Sequence, residues 1–118
     1  HAGAVHAVAV VGRHARRVVS GGADGIARLW HVPTGRCERV FREHGGRVAG
    51  VCVVGEGRLL ATACYDALVR LWHLKSGECV RRLAGHAGAV YAVCALSDSR
   101  VASAGADGTA RVWHVESG

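Results

Sequence analysis

An all-β fold made of three copies of one unit is predicted by landmarks that recur in the same order along the chain. The tryptophans Trp30, Trp72 and Trp113 are spaced by 42 and 41 residues. An aspartate lies six residues before each of them, at Asp24, Asp66 and Asp107. A histidine opens each unit, at His1, His44 and His86. Three landmarks in register indicate an internal repeat.

Short apolar runs within each unit have the length and composition of strands. In the first unit they read VHAVAV, RVVSGG, GIARLWHV and RCERVF. Valine-rich segments bounded by Gly, Asp and Ser are typical of short antiparallel strands. The chain has no segment with the 3.6-residue apolar period of a helix. Each complete unit is therefore predicted to hold four strands.

Turn residues separate these runs at the same two places in every unit. The sequences GADG, CYDA and GADG divide the second run from the third, where an Asp near a Gly suits a hairpin turn. The sequences PTG and KSG divide the third run from the fourth, and ESG ends the chain at the same point. The units are therefore placed at residues 1–43, 44–85 and 86–118, and the last is predicted to lack its outer strand.

The bulk composition places limits on the class of protein. The 118 residues include seventeen glycines, one proline and no methionine, which predicts a turn-rich domain that is an excerpt of a longer protein. No apolar run approaches the roughly 18 residues of a membrane helix, and the first residues lack the basic lead of a signal peptide. We expect no membrane association.

The charge of the chain is strongly positive. The formal net charge is +6, the isoelectric point is near 9.6, and fourteen of the fifteen basic residues are arginine. Such a balance favours acidic partners, namely nucleic acid, acidic peptides or phosphorylated ones. The alternative is an arginine-rich surface that is simply solvated. The arginines are scattered and form no block, so both interpretations stay open.

The five cysteines follow the repeat rather than a ligand pattern. Cys37 and Cys79 are one repeat apart, as are Cys52 and Cys94, and Cys64 stands by itself. Disulfide frameworks and zinc sites need tighter spacings than these. We expect small buried side chains in a reduced, intracellular protein.

The units resemble WD repeats. The resemblance lies in the opening histidine, the aspartate in the second turn, and the third strands ARLWH, VRLWH and ARVWH, and it spans the whole chain. It implies a β-propeller, in which four-stranded antiparallel blades are arranged radially around a channel. Two departures are visible: Trp-His replaces the dipeptide that names the family, and a glycine precedes the opening histidine only at Gly85.

A hydroxyl residue precedes each turn aspartate by four positions, and His, Ser/Thr and Asp together raise the hypothesis of a hydrolase. The repeat argues against it, because an enzyme needs one such site and a GxSxG elbow is absent. The resemblance implies a structural relay instead, in which the indole N–H donates to the hydroxyl, the hydroxyl bonds the imidazole, and the imidazole bonds the aspartate. Carried over residue by residue, the relays are His1/Ser20/Asp24/Trp30, His44/Thr62/Asp66/Trp72 and His86/Ser103/Asp107/Trp113.

No cofactor or metal is predicted. His31, His73 and His114 recur at one level, but histidines that bind one ion must all lie about 2 Å from it, which neighbouring blades seldom allow. We expect them to be solvent-facing strand ends. Phosphate-binding loops and paired-carboxylate motifs are also absent from the sequence.

Partner binding is implied at the mouth of the channel. In the family this face is formed by the third and fifth residues after the opening histidine and by the residue before the turn aspartate. Four of the nine such residues here are not alanine: His6, Arg47, Tyr65 and Tyr91. Tyrosine and arginine are enriched at binding hot spots. The alternative is that these side chains only pack against neighbouring loops.

Three units cannot close a ring that normally has four to eight blades. We therefore expect either further blades in a longer parent chain or self-association of copies. The function predicted first is a non-enzymatic scaffold that recruits protein or peptide partners within a larger complex. The alternative is a propeller that binds nucleic acid or ribonucleoprotein through its basic surface. We expect nucleic-acid association to be weak. Either would operate inside the cell, in the cytoplasm or the nucleus.

Overall fold

The computed structural model describes residues 3–11, 16–42 and 44–115, and these form eleven strands. The strands are β1 (Val5–Val11), β2 (Arg17–Gly22), β3 (Ala27–His31), β4 (Arg36–Phe41), β5 (Val48–Val54), β6 (Leu59–Cys64), β7 (Leu68–His73), β8 (Cys79–Ala84), β9 (Val90–Ser97), β10 (Arg100–Gly105) and β11 (Ala110–His114). No membrane-spanning helix is found in this part of the chain.

The strands form three separate antiparallel sheets in which neighbours in sequence are neighbours in space. The first sheet holds β1 to β4, the second β5 to β8, and the third β9 to β11. The all-β prediction of repeated blades is therefore confirmed. Among the described residues the third sheet has three strands, and the three sheets do not close a ring.

The same register recurs in each sheet and fixes where the repeated residues lie. Trp30, Trp72 and Trp113 on the third strands pair with Val18, Leu60 and Val101 on the second strands. One residue pair is skipped near the start of each first strand, which is a bulge at the end where the strand leaves its loop. Equivalent side chains of the three units therefore reach equivalent places.

Two apolar clusters hold the sheets together. Val19, Leu29 and Phe41 of the first sheet pack against Leu60 and Trp72 of the second. On its other face the second sheet packs against the third, and this cluster includes Val69, Leu71, Val90, Val101 and Trp113. The middle sheet is thus buried on both faces, whereas the outer sheets are covered on one face each.

The uncovered faces of the outer sheets expose apolar side chains. Val8 on β1 is 67% exposed and Val112 on β11 is 60% exposed. Val10 and Leu96 are also exposed. We call these two surfaces the open faces, one on the first sheet and one on the third.

The prediction that the repeated cysteines are buried is wrong for Cys37 and Cys94, which are exposed. Their repeat equivalents, Cys79 and Cys52, are partly buried against the two apolar clusters. The reason is the position of the sheet: Cys37 and Cys94 lie on the open faces, while their equivalents face a neighbouring sheet. Cys64 is fully buried, and its thiol donates to the carbonyl of Gly46 at 3.4 Å.

The hairpins between second and third strands need one residue in the left-handed backbone region, where φ is positive. In the middle unit this residue is not glycine. Gly25 and Gly108 have φ of 75° and 77°, and Ala67 occupies the same place with φ of 76°. An L-residue in this region costs roughly 1–2 kcal/mol, because its Cβ crowds the following carbonyl oxygen. The middle hairpin is therefore strained.

We expect Ala67→Gly to raise the free energy of unfolding by about 1 kcal/mol, since relief of this strain exceeds the entropic cost of glycine in the unfolded chain. The matched control is Gly108→Ala, where an added Cβ meets nothing within 4 Å and only the backbone conformation is penalised. It should lower the free energy of unfolding by a similar amount. Urea denaturation of the three proteins measures both changes, and destabilisation by Ala67→Gly would refute the strain.

Candidate functional site

Each turn aspartate anchors its hairpin in the same way. Asp24 Oδ1 accepts from Ile26 N, Asp66 Oδ1 from Leu68 N, and Asp107 Oδ1 from Thr109 N, each at 3.2 Å. This two-residue spacing is an Asx turn, which explains why aspartate stands at that position. In the second and third units the other carboxylate oxygen accepts from the loop before the first strand, from Gly45 N and Ala87 N, both at 3.0 Å.

The third unit brings together all four residues of its predicted relay. Trp113 Nε1 donates to Ser103 Oγ at 2.8 Å, and Ser103 Oγ lies 2.7 Å from His86 Nε2. His86 Nδ1 lies 3.1 Å from Asp107 Oδ1. The imidazole, the hydroxyl and the indole are buried. Each polar member of this chain therefore has a partner, which a buried network requires.

The middle unit differs from this arrangement at one link. Trp72 Nε1 donates to Thr62 Oγ1 at 3.1 Å, and Thr62 Oγ1 lies 2.9 Å from His44 Nε2. His44 Nδ1, however, is buried without a hydrogen-bond partner among the described residues. The predicted bond from His44 to Asp66 is not formed.

Arg70 takes the place of the histidine at Asp66. Its guanidinium forms a two-point pair with the carboxylate, and the Nη1 to Oδ1 distance is 3.1 Å. The arginine is only 5% exposed. A bidentate guanidinium is a stronger partner for a carboxylate than a neutral imidazole. The aspartate is therefore satisfied without the relay.

The pKa values of Asp66 and His44 follow from the bond between Asp66 and Arg70. Burial raises the pKa of Asp66, but hydrogen bonds from Arg70 and the Gly45 amide outweigh it and bring that pKa to about 2. Burial and the charge of Arg70 lower the pKa of His44 to about 4. At neutral pH the middle unit therefore holds an ion pair beside a neutral imidazole.

The first unit shows the part of its relay that lies within the described residues. Trp30 Nε1 donates to Ser20 Oγ at 2.8 Å. Asp24 Oδ2 accepts from Arg28 Nη1 at 3.1 Å, as Asp66 does from Arg70. His1, the predicted opening residue of this relay, lies outside the described residues.

The repeated arginine was not among the residues singled out in the sequence. Arg28 and Arg70 stand four residues after the turn aspartate, and Arg111 stands at the same place in the third unit. Arg28 and Arg70 pair with their aspartates. The signal was present, because an arginine two residues before each tryptophan is a further landmark in register.

The hydroxyls of the relays are placed for structure and not for attack on a substrate. Ser20, Thr62 and Ser103 are at most 5% exposed, and each accepts from an indole. A nucleophile needs a reacting atom of the substrate about 3 Å away, which buried hydroxyls do not permit. The arrangement therefore fits the role of a buried polar network.

The repeated Trp-His histidines lie at the ends of the third strands. His31, His73 and His114 close β3, β7 and β11. His31 Nδ1 lies 2.8 Å from Thr34 Oγ1, and His73 and His114 are exposed. Across the described ranges, no group of three or more ligating side chains is placed to hold a metal ion.

The loops and the first strand residues at the opposite end of the sheets carry the residues predicted to bind a partner. One backbone hydrogen bond recurs there in every unit: Ala23 N to Ala4 O, Tyr65 N to Arg47 O, and Ala106 N to Ala89 O, at 2.8 to 3.0 Å. It holds the loop before the first strand beside the hairpin after the second. The three units therefore present these positions at one end of the molecule.

Three of the four predicted residues come together at this end. The rings of Tyr65 and Tyr91 meet edge to face with centroids 5.5 Å apart, although they belong to different sheets. The guanidinium carbon of Arg47 lies 5.8 Å from the ring centre of Tyr65. Tyr65 is 42% and Tyr91 49% exposed. His6 is exposed on β1, and no contact with these three side chains is seen among the described residues.

Comparison with known proteins identifies the repeat. The family model for the WD domain, G-beta repeat, matches residues 1–31, 35–73 and 77–114. A structure of U3-55K superposes with a TM-score of 0.90 at 27% sequence identity, covering 98% of this chain and 36% of that chain.

A sequence relative gives a shorter match. The Caenorhabditis elegans ribosome biogenesis protein BOP1 homolog is 40% identical over 45 residues, which are 38% of this chain. The chain spans 7% of the length of that relative. Both similar proteins are therefore much longer than this chain of 118 residues.

Proposed function

The chain belongs to the WD domain, G-beta repeat family, and on that premise we propose that it is a non-catalytic platform that recruits a protein or peptide partner within a larger complex. The tyrosine cluster of Tyr65, Tyr91 and Arg47 carries this proposal. Two large aromatic side chains remain about half exposed while fixed against each other. Rigid aromatic rings of this kind offer contact area at low entropic cost.

The position of the cluster supports recruitment over a purely structural role. The rings contact each other across two sheets instead of entering either apolar cluster. Arg47 adds a charged donor at the edge of the aromatic surface. A partner with an apolar side chain and a nearby carboxylate would satisfy both features. The hydroxyls that could suggest hydrolysis are buried and engaged, which supports a non-catalytic role.

A ribonucleoprotein setting is the second candidate. Its support is the net charge of +6 and the name of the BOP1 relative, which assigns that protein to ribosome biogenesis. Two arginines count against this candidate, because Arg28 and Arg70 are engaged with aspartates. We place the platform inside the cell, in the cytoplasm or the nucleus.

Peptides selected for binding to the chain from a random display library test the platform. We expect most of them to lose at least about tenfold in affinity on Tyr91→Ala, the loss typical of an aromatic hot spot. Val80→Ala is the matched control, because Val80 is a comparably exposed apolar residue on β8, away from the cluster. Affinities measured by fluorescence anisotropy decide the outcome, and peptides that bind the Tyr91→Ala protein as tightly as the parent would contradict the proposal.

RNA binding by the same protein tests the ribonucleoprotein alternative. Polyuridylate titrated at two salt concentrations should bind weakly and with a steep loss at the higher salt, as expected of binding through exposed basic side chains alone. Tight binding that resists salt would favour the alternative over the peptide platform.

A further inference from the structure

We propose that the groove between the first and second sheets, at the end of the strands opposite the tyrosine cluster, is a second binding site for an acidic peptide segment that also carries aliphatic side chains. The location follows from the topology. β2 starts at Arg17 and β3 ends at His31 at this end, as β6 starts at Leu59 and β7 ends at His73 in the next sheet. The tyrosine cluster lies at the other ends of these strands.

The groove is large enough for a short peptide segment and has an apolar floor. Its volume is about 730 Å³, within the range of roughly 300–1,000 Å³ usual for ligand sites. Val11 and Leu29 of the first sheet and Leu74 beyond β7 line it. Leu29 and Leu74 are nearly buried, so they form the base and not the rim. Such a floor accepts aliphatic side chains.

The rim of the groove is strongly positive. Arg17 and Arg39 from the first sheet and Arg58 and Lys75 from the second surround it, opposed by the single carboxylate of Glu38. These four are more than a quarter of the fifteen basic residues in the chain. Their convergence from two sheets is not visible in the sequence, where they are spread over 59 positions from 17 to 75. Charge complementarity therefore selects an acidic occupant.

Each of the three guanidinium groups has a hydrogen-bond partner. Arg17 Nε donates to Glu38 Oε1 at 2.7 Å, Arg39 Nη1 to the Ser76 carbonyl at 3.0 Å, and Arg58 Nε to the Gly55 carbonyl at 2.9 Å. A guanidinium has five N–H donors, so one such contact positions it without exhausting its donors. The Arg39 bond also spans the two sheets and fixes the width of the groove.

The chemistry of the lining favours a peptide over RNA. Single-stranded RNA is usually bound by aromatic side chains on which bases stack. Among the described residues the lining contains no Phe, Tyr or Trp, and its floor is aliphatic. Carboxylates on the rim and leucine-like side chains on the floor satisfy both parts of the groove. The site uses neither the tyrosine cluster nor the open faces, so it does not depend on the function proposed above.

A fluorescent synthetic peptide, Glu-Glu-Leu-Glu-Leu-Glu-Glu, tests the site by anisotropy titration with the 118-residue chain. Lys75→Glu should weaken binding about threefold or more, since an exposed charge pair contributes modestly to affinity and reversal replaces attraction with repulsion. Glu38→Gln should strengthen binding about threefold, because it removes the opposing negative charge while the amide oxygen can still accept from Arg17 Nε. Opposite effects of two exposed substitutions are not expected from a change in folding.

Arg100→Glu is the matched control for Lys75→Glu, since it changes the net charge equally at an exposed position on the third sheet. It should leave the affinity within about twofold of the parent, as only long-range charge is altered. Equal weakening by the two reversals would show a diffuse charge effect and overturn the site. The site would also be overturned if polyuridylate bound in a Lys75-dependent manner while the peptide did not.

Discussion

The 118-residue chain should self-associate, with two copies forming a closed ring of six blades as the simplest product. The open faces require this, because they leave Val8 and Val112 in water. Their equivalents in the middle sheet, Val51 and Leu71, are 7% and 0% exposed against neighbouring sheets. Burial of apolar area at about 25 cal/mol per Å² drives such faces together.

The geometry of the middle sheet shows why the two open faces fit each other. The open face of the first sheet is the repeat equivalent of the surface with which the middle sheet packs on the first. The open face of the third sheet is the equivalent of the surface with which the middle sheet packs on the third. Two copies can therefore join head to tail at both ends with the packing already present within the chain, and a head-to-tail contact that closes gives a ring.

Sedimentation velocity over a range of concentrations measures the assembly. Val112→Glu should shift the population toward monomer, because a charge on the open face must be desolvated on association. Val80→Glu is the matched control, a charge at an exposed valine on the outer strand β8 outside the open faces. A monomer that is independent of concentration and unfolds cooperatively would refute the argument that these sheets need neighbours.

The second large effect concerns the pair of Asp66 and Arg70. Asp66→Ala should lower the free energy of unfolding by about 2–3 kcal/mol, because it strands a buried guanidinium and the Gly45 and Leu68 amides. Asp107→Ala also strands the buried His86 Nδ1, but it should cost less, since a lost imidazole hydrogen bond is cheaper than a buried guanidinium left without its carboxylate, and the equivalent arginine, Arg111, is exposed. Urea denaturation at one fixed protein concentration measures both, because self-association contributes to apparent stability.

A double substitution distinguishes the contribution of Arg70 to stability from that of the rest of the hairpin. Arg70→Met in the Asp66→Ala background removes the stranded charge and should recover part of the loss, as replacement of a buried ion pair by apolar side chains often does. Failure of this rescue, or equal losses for Asp66→Ala and Asp107→Ala, would assign the stability to the Asx turn alone. An unchanged urea denaturation midpoint for Asp66→Ala would show that the hydrogen bonds of Asp66 do not stabilise the middle sheet.

The sequence by itself determined the repeat, the strands and the turns. Short valine-rich runs and aspartates near Gly25 and Gly108 are local signals, since strand alternation and turn conformation depend on near neighbours in the chain. Trp30, Trp72 and Trp113 fall on third strands for the same reason. The resemblance to WD repeats, based on these residues, predicted the propeller blades that the structure contains.

Only the tertiary structure decided how each copy of the unit is used. Cys52 and Cys94 occupy the same place in their units, yet one is partly buried and the other exposed, because burial depends on whether another sheet covers that face. Asp66 and Asp107 likewise occupy the same position in their units but have different partners. Asp66 bonds the guanidinium of Arg70, whereas Asp107 bonds the imidazole of His86.

Contacts between units could not be predicted from the sequence either. Tyr65 and Tyr91 are predicted site residues from separate units, but their packing against each other depends on the distance between sheets. The same holds for Arg39 and Lys75 in the basic groove, which belong to different sheets and line one cavity. A repeat specifies equivalent positions within its units. Which side chain bonds each aspartate, and which face of each sheet is buried, is decided only when the units pack together.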